Sequence, residues 1–345
     1  MIRATHFVNN TEGWALAVKQ TYSPEALVEG RRPVAIIPGY GMNAFIFGYH
    51  PTGLSMEEYW AGQGFEVWSI NLRGQGGSKR EGGRLSYGFY EVAVTDLMHV
   101  TAYILEHSRT KADRIDAVGC SLGGTYLYIH LACLGTASRL GSIVAIGAPL
   151  TWRGVHPLLK LLFGSPWLAG SIHLRGTRQL ARLGLPLLKH FPKILGIYLH
   201  PEIVDISKTE HLVKTVENPN PVLNRQIAEW MKQGHLVVNG IQVDRALGRA
   251  DNPLLIVLAN ADGIVPEQTA LSAYDAFGSK SKDILRVGTE TVPIAHADLF
   301  ISHYAQEWVF GPLAEWLLAH TSQAPGQTGR RPRKKSLPRV GPSSS

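Results

Sequence analysis

Short apolar runs alternate along the chain with segments whose apolar residues recur every three or four positions. The runs Val34–Ile37, Phe65–Asn71, Ile115–Val118, Ser142–Ile146, Leu254–Leu258 and Ile284–Val287 have the length of strands. Their near-continuous apolarity is what parallel strands covered on both faces require. Tyr90–His107 carries Ala93, Leu97, Val100 and Ile104 at helical spacing, and Glu267–Phe277 and Tyr304–Ala319 show similar patterns. This alternation predicts an α/β protein, a mostly parallel sheet flanked by helices.

After residue 150 the alternation stops. Thr151 to Leu247 is written in Leu-rich, Pro-interrupted helical pieces (LLKLLF, RQLARLGLPLLKHF, NRQIAEWMKQGHL), and the strand pattern resumes at Pro253. The expected organisation is a core of residues 1–150 and 248–320, a helical insertion over 151–247, and a tail over 321–345. The tail is rich in Pro, Gly, Ser and Arg; it cannot build a core and is expected to be disordered. No internal repeat is visible.

Composition changes this picture little: 45% hydrophobic and 18% charged residues are globular values. Charge changes it more. The net +7 is concentrated in the tail (Arg330, Arg331, Arg333, Lys334, Lys335, Arg339) and in 151–201 (Arg153, Lys160, Arg175, Arg178, Arg182, Lys189, Lys193), where no acid occurs. The rest of the chain is net acidic; the basic tail could bind nucleic acid or anionic lipid, more often such a run is a solvated end, and no specific nucleic-acid partner is expected. A peripheral contact with an anionic membrane through the basic insertion or tail stays open, beside the plainer reading of solvated cations.

The cysteines, Cys120 and Cys133, make neither a disulfide framework nor a zinc site. With a helix between them they stand roughly 20 Å apart, too far to bridge. No apolar stretch of signal-peptide length opens the sequence, and a cytoplasmic location is expected. The uncharged run Ala117–Ser138 is long enough for a membrane span, but its glycines and polar residues fit a strand, a tight turn and a buried helix better.

That run holds the candidate chemistry. Gly119-Cys120-Ser121-Leu122-Gly123-Gly124 follows a strand and precedes a helical stretch. By itself the motif also fits a glycine-rich turn. In this context it fits a nucleophile elbow: Ser121 sits on a sharp turn, and the residues two positions away, Gly119 and Gly123, must be small. The helix that follows lends its positive end and the amide of Leu122 to an oxyanion. A serine hydroxyl needs a base and a carboxylate that orients it. On such a sheet these follow in the order serine, acid, histidine, each beyond a strand. Asp262 follows LLIVL and His296 follows DILRV. Asp262-Gly263 also fits a plain turn, and a lone histidine is often a satisfied loop residue; the order of the three favours the catalytic reading. Asp251 lies at the wrong end of its strand. For a second oxyanion donor, Gly39 and Gly41 flank Tyr40 after the first core strand and leave its amide free to face the site; a simple strand-to-loop turn is the competing reading.

With these motifs in place, residues 8–150 and 250–318 resemble the α/β-hydrolase superfamily, and within it lipases and esterases. Gly119–Gly124 is similar to the nucleophile box, Asp262-Gly-Ile-Val-Pro to the acid loop and His296-Ala-Asp-Leu to the histidine loop. Asn71-Leu-Arg-Gly-Gln-Gly-Gly-Ser78 is similar to the turn after the second core strand. The resemblance implies a cap in the position of 151–247 and a carboxylic ester hydrolase acting on a hydrophobic acyl substrate or lipid, without metal or cofactor. Thioesterase, amidase and acyltransferase chemistry, or a non-catalytic hydrolase-fold protein, remain alternatives. Two departures stand out. Pro38 replaces a frequent His before the oxyanion glycine, and Cys120 precedes the serine where polyester synthases have Cys at the nucleophile position itself.

Overall fold

The computed structural model describes residues 1–171, 176–188, 195–207 and 209–321. Eight strands form the path of the main sheet: β1 (Ile2–Asn9), β2 (Trp14–Tyr22), β3 (Val34–Ile37), β4 (Val67–Ile70), β5 (Ile115–Cys120), β6 (Leu140–Ile146), β7 (Leu254–Ala259) and β8 (Lys282–Val287). Their order is β1-β2-β4-β3-β5-β6-β7-β8, with the short strand Lys79–Arg80 paired to β2. From β4 to β8 every neighbouring pair is parallel; β1–β2 and β2–β4 are antiparallel.

The order puts the chain on opposite sides of β3 before and after β4. That reversal opens a crevice at the carboxyl ends of the strands, where such sheets place their sites.

All six strands expected from apolar runs are present. The hairpin β1–β2 was not among them. Its β1 alternates exposed and half-covered positions along an edge, so it has no continuous apolar run. In β2 the polar Lys19 and Gln20 find carboxylates: Lys19 reaches Glu57 at 2.5 Å and Gln20 donates to Glu66 at 2.5 Å. Asn10 closes the hairpin, its Oδ1 accepting the amides of Glu12 (3.0 Å) and Trp14 (3.1 Å).

Alternate residues of the central strands face two cores. On one side Ala117, Ile143 and Ala145 pack with Tyr126, Leu127 and Val100; on the other Val118, Val144 and Ile146 pack with Trp60, Phe310 and Leu313. The covering helices include α1 (Met56–Gly62), α2 (Leu97–His107), α3 (Leu122–Leu134) and, at the end of the described chain, Gly311–Thr321. A capping box starts α1, with Ser55 and Glu58 satisfying each other's amides. Both long helices read from periodicity near residues 90 and 304 begin with a wider π turn, Glu91–Asp96 and Gln306–Phe310.

Between β6 and β7 the described structure is built mainly of short helices, with Pro157–Phe163, Pro166–Ser171, Thr177–Leu188 and Pro221–Gln233 as the longer ones, and it carries one small hairpin, Val237–Val238 with Ile241–Gln242. Among the described residues no helix is long and apolar enough to cross a membrane. The expected disordered tail lies outside the described residues, apart from Thr321.

Candidate active site

The elbow forms where β5 runs into α3. Ser121 has φ 52° and ψ −125°, a conformation side chains rarely adopt and one that costs on the order of 1–3 kcal/mol. Close packing enforces it. A Cβ at Gly119 would strike the backbone of Gly124, and one at Gly123 would strike the Ile37 carbonyl. The two glycines let the start of α3 press against β3 and β5. The Ser121 amide donates to Ile146 O at 2.8 Å and Ser121 O accepts from Gly124 N at 3.0 Å. Leu122 opens the helix, so its amide belongs to the first turn, where N–H groups have no intrahelical acceptor.

Asp262 and His296 come from the loops after β7 and β8 and meet through Oδ2 and Nδ1 at 2.7 Å. Their side chains are nearly covered, 3% and 6% exposed. Asp262 Oδ1 accepts the amides of Ile264 (2.8 Å) and Val265 (2.9 Å). The carboxylate thus builds its own turn and still has one oxygen free for the imidazole. An acceptor at Oδ2 requires the proton on Nδ1, which leaves Nε2 with a lone pair.

Ser121 approaches this pair through its backbone. Ile146 holds the Ser121 amide, and the next residue, Gly147, lies against both partners: a Cβ there would sit 3.0 Å from His296 Cε1 and 3.1 Å from Asp262 Oδ2. Among the described residues no hydrogen bond joins Ser121 Oγ to His296 Nε2; in unliganded sites this contact is often long. Burial, with a smaller contribution from the Asp262 charge, pushes the Cys120 thiol above its usual range. Cys120 is therefore a neutral packing residue and no rival nucleophile.

The loop after β3 lies beside the elbow: a Cβ at Gly39 would come within 2.8 Å of Ser121 Cβ. Gly41 has φ 68° and turns the loop. The turn quoted above as Asn71–Ser78 supports it, Gln75 donating to Gly39 O at 3.1 Å and Asn71 accepting from Ala44 N at 2.9 Å. The insertion supports it too. The Tyr40 hydroxyl bonds the Asn224 side chain and accepts the Asn220 amide at 3.0 Å, while Glu217 N donates to Gly41 O at 2.8 Å. Burial raises the Tyr40 phenol above its ordinary range, so it stays protonated.

Sequence reasoning missed Gly147, Gln75 and the insertion's Asn220 and Glu217. Gln75 lay inside a quoted motif. The others carried no local signal, because each acts through a partner distant in sequence. A cavity of about 970 Å³ opens between insertion and core, lined by Trp14, Tyr87, Trp167, Asn220, Arg225 and Gln226; Ser121, Asp262 and His296 are not among its lining residues. No group of three or more His, Cys, Asp or Glu among the described residues is arranged to hold a metal ion.

Sheet order, elbow and loop positions together define an α/β hydrolase. Residues 54–287 match the Hydrolase_4 family, described as serine aminopeptidase, S33, and the chain belongs to that family. No curated protein matches the sequence. Among solved structures, a soluble variant of monoglyceride lipase from Saccharomyces cerevisiae is similar with a TM-score of 0.62 and 16% identity, over 94% of this chain and 97% of that one. An esterase from Exiguobacterium antarcticum gives 0.61 and 16%, over 91% and 100%. The enol-lactonase from Burkholderia xenovorans LB400 gives 0.57 and 13%, over 91% and 100%. At these identities the likeness is one of fold.

Proposed function

We propose that this protein is a serine hydrolase that cleaves carboxylic esters with hydrophobic acyl groups. One observation carries the reading: a buried Asp262–His296 pair packed against Gly147, whose neighbour Ile146 holds the strained Ser121. In this mechanism Ser121 Oγ attacks the ester carbonyl while its proton passes to His296 Nε2. Asp262 keeps the proton on Nδ1 and stabilises the imidazolium. The amides of Tyr40 and Leu122 receive the oxyanion. The C–O bond then breaks, and His296 returns the proton to the departing alcohol. Water repeats the sequence on the acyl-enzyme and releases the acid. Thioester cleavage, amide cleavage and acyl transfer would use the same groups, and the pocket decides among them.

Two measurements test this. A fluorophosphonate probe should label Ser121 in the folded protein. A p-nitrophenyl ester series should show kcat/KM rising from acetate to a medium-chain ester, by about tenfold for each two methylenes that enter an apolar pocket. No labelling and no turnover across the series would remove the reading.

A peripheral membrane contact is part of the same proposal. Leu161, Trp167, Leu168, Leu180 and Leu183 lie exposed on helices of the insertion, Leu161 by 79% and Trp167 by 76%. The exposed Lys160 and Arg182 stand among them, Arg178 is paired with Glu217 at 3.0 Å, and the stretch 151–201 itself has no acid. Apolar side chains mixed with cations suit an anionic bilayer. The protein should float with phosphatidylglycerol vesicles, less with phosphatidylcholine, and Trp167→Ser with Leu183→Ser should weaken flotation. Truncation after Thr321 separates the tail's share. No flotation with either vesicle would reject the contact.

A further inference from the structure

Two residues after His296 stands Asp298, the centre of a second buried carboxylate–imidazole pair. Asp298 is fully covered. One oxygen accepts His200 Nδ1 at 2.8 Å and the Ala295 amide at 2.8 Å; the other accepts the His200 amide at 3.0 Å. His200 belongs to the insertion, and its side chain is 19% exposed. The residues just before it reach further. Ile197 O accepts the amide of Gly263 at 3.2 Å, and Tyr198 O accepts the amide of Ala297 at 2.8 Å. The Tyr198 ring lies 6.2 Å from that of His296.

Residues 197–200 therefore hold, in succession, the residue after Asp262, the residue after His296, and Asp298. This matters because Asp262 and His296 come from different strands. Their 2.7 Å contact depends on how two loops sit relative to each other. The loops have direct ties, Ala261 N to Ile294 O at 2.9 Å and Ile294 N to Asn260 Oδ1 at 2.8 Å. Both ties precede His296. On its far side, Ala297 N donates to Tyr198 O of the insertion and Asp298 takes the His200 contacts; the next described tie to the core is four residues on, where His50 Nε2 meets Ser302 O at 3.0 Å. Without the His200 imidazole, Asp298 would keep the amides of Ala295 and His200 and lose its side-chain donor among those three. A buried carboxylate that loses this donor would draw in water or shift the loop it holds.

We propose that His200 and Asp298 are positioning residues. The pair anchors segment 197–200 of the insertion across both loops and so fixes His296 against Asp262. The proposal rests on the hydrolase reading above and deepens it: the insertion completes the acid–base apparatus, in addition to whatever it does for the substrate. A merely structural anchor would lower the melting temperature and leave turnover by the folded protein unchanged.

The test uses the full chain, p-nitrophenyl butyrate, the rate of fluorophosphonate labelling at Ser121, and circular dichroism to confirm folding. His200→Ala should lower kcat about 10- to 100-fold, the scale set by a small misplacement of a catalytic group. KM should stay within about twofold, as expected when binding of the ground state is untouched. Labelling should slow by the same factor as kcat. His200→Asn places an amide N–H near the position of Nδ1 and should recover most of the loss. His200→Ala combined with Asp298→Asn should be no worse than the poorer single variant, because both cut the same link. If Asp298→Asn does not fold, the Ala and Asn variants at His200 carry the test alone. A folded His200→Ala with wild-type kcat and labelling overturns the proposal, as does a change confined to KM, which would place His200 in the substrate pocket. A wild-type protein that is neither labelled nor active overturns the hydrolase reading, and this proposal with it. An active wild type with an indifferent His200→Ala overturns the positioning role only.

Discussion

Ser121→Ala is expected to lower ester hydrolysis by about 10⁶-fold, the cost of deleting the nucleophile in an enzyme whose triad acts as a unit. Nothing else in the site can replace the lost oxygen. The adjacent Cys120 is buried and its thiol is pushed up in pKa, so it offers no thiolate. Residual rate above water would come from the oxyanion donors and substrate binding. The fold should be indifferent to this change, since Ala retains the Cβ and the φ of 52° that goes with it. Ser121→Gly separates chemistry from strain. It should be equally inactive, and release of roughly 1–3 kcal/mol of backbone strain should offset its entropic cost of about 1 kcal/mol. Equal or higher thermal stability for the Gly variant than for the Ala variant would fit. Turnover by Ser121→Ala within about a hundredfold of wild type would exclude Ser121 as nucleophile.

Asp262→Asn is expected to cost about 10⁴-fold in kcat, through the tautomer of His296. The direction follows from the partners of the carboxylate. Oδ1 already accepts two backbone amides, from Ile264 and Val265. An asparagine at 262 would keep its carbonyl oxygen there, because its NH2 group cannot accept those bonds. The NH2 then faces His296 Nδ1 and donates to it. The imidazole must carry its proton on Nε2, where it cannot take one from Ser121. Kinetics on a p-nitrophenyl ester and the fluorophosphonate labelling rate should fall together, with folding intact. A variant within about tenfold of wild type would show that Asp262 does not set the tautomer.

Much of the scaffold was legible because its physics is local. A parallel strand covered on both faces must be apolar at nearly every position, so the five inner strands stood out as runs, while the half-covered edge strand β8 showed only the short run Ile284–Val287. The hairpin β1–β2 did not, because an edge strand needs cover on one side only and β2 satisfies Lys19 and Gln20 with carboxylates from elsewhere. The elbow was legible for a similar reason. The approach of α3 to β3 and β5 excludes side chains at two fixed offsets from Ser121, and that exclusion leaves glycines in the sequence. Asp262 and His296 could be located by strand order alone, as residues just past the ends of β7 and β8.

Sequence alone determined what kind of sheet this chain builds, which serine stands at the turn from β5 into α3, and which loops bring Asp262 and His296 to the carboxyl ends of the strands. Only the tertiary structure decided how these are held together. The 2.7 Å contact between Asp262 and His296, the seating of Gly147 against both, the grip of Asn220 and Asn224 on Tyr40, and the His200–Asp298 pair all join residues far apart in the chain. Periodicity records that a face or a loop is buried. It does not record which other segment buries it, because that depends on how separately formed layers dock and on which polar groups find partners when water is excluded.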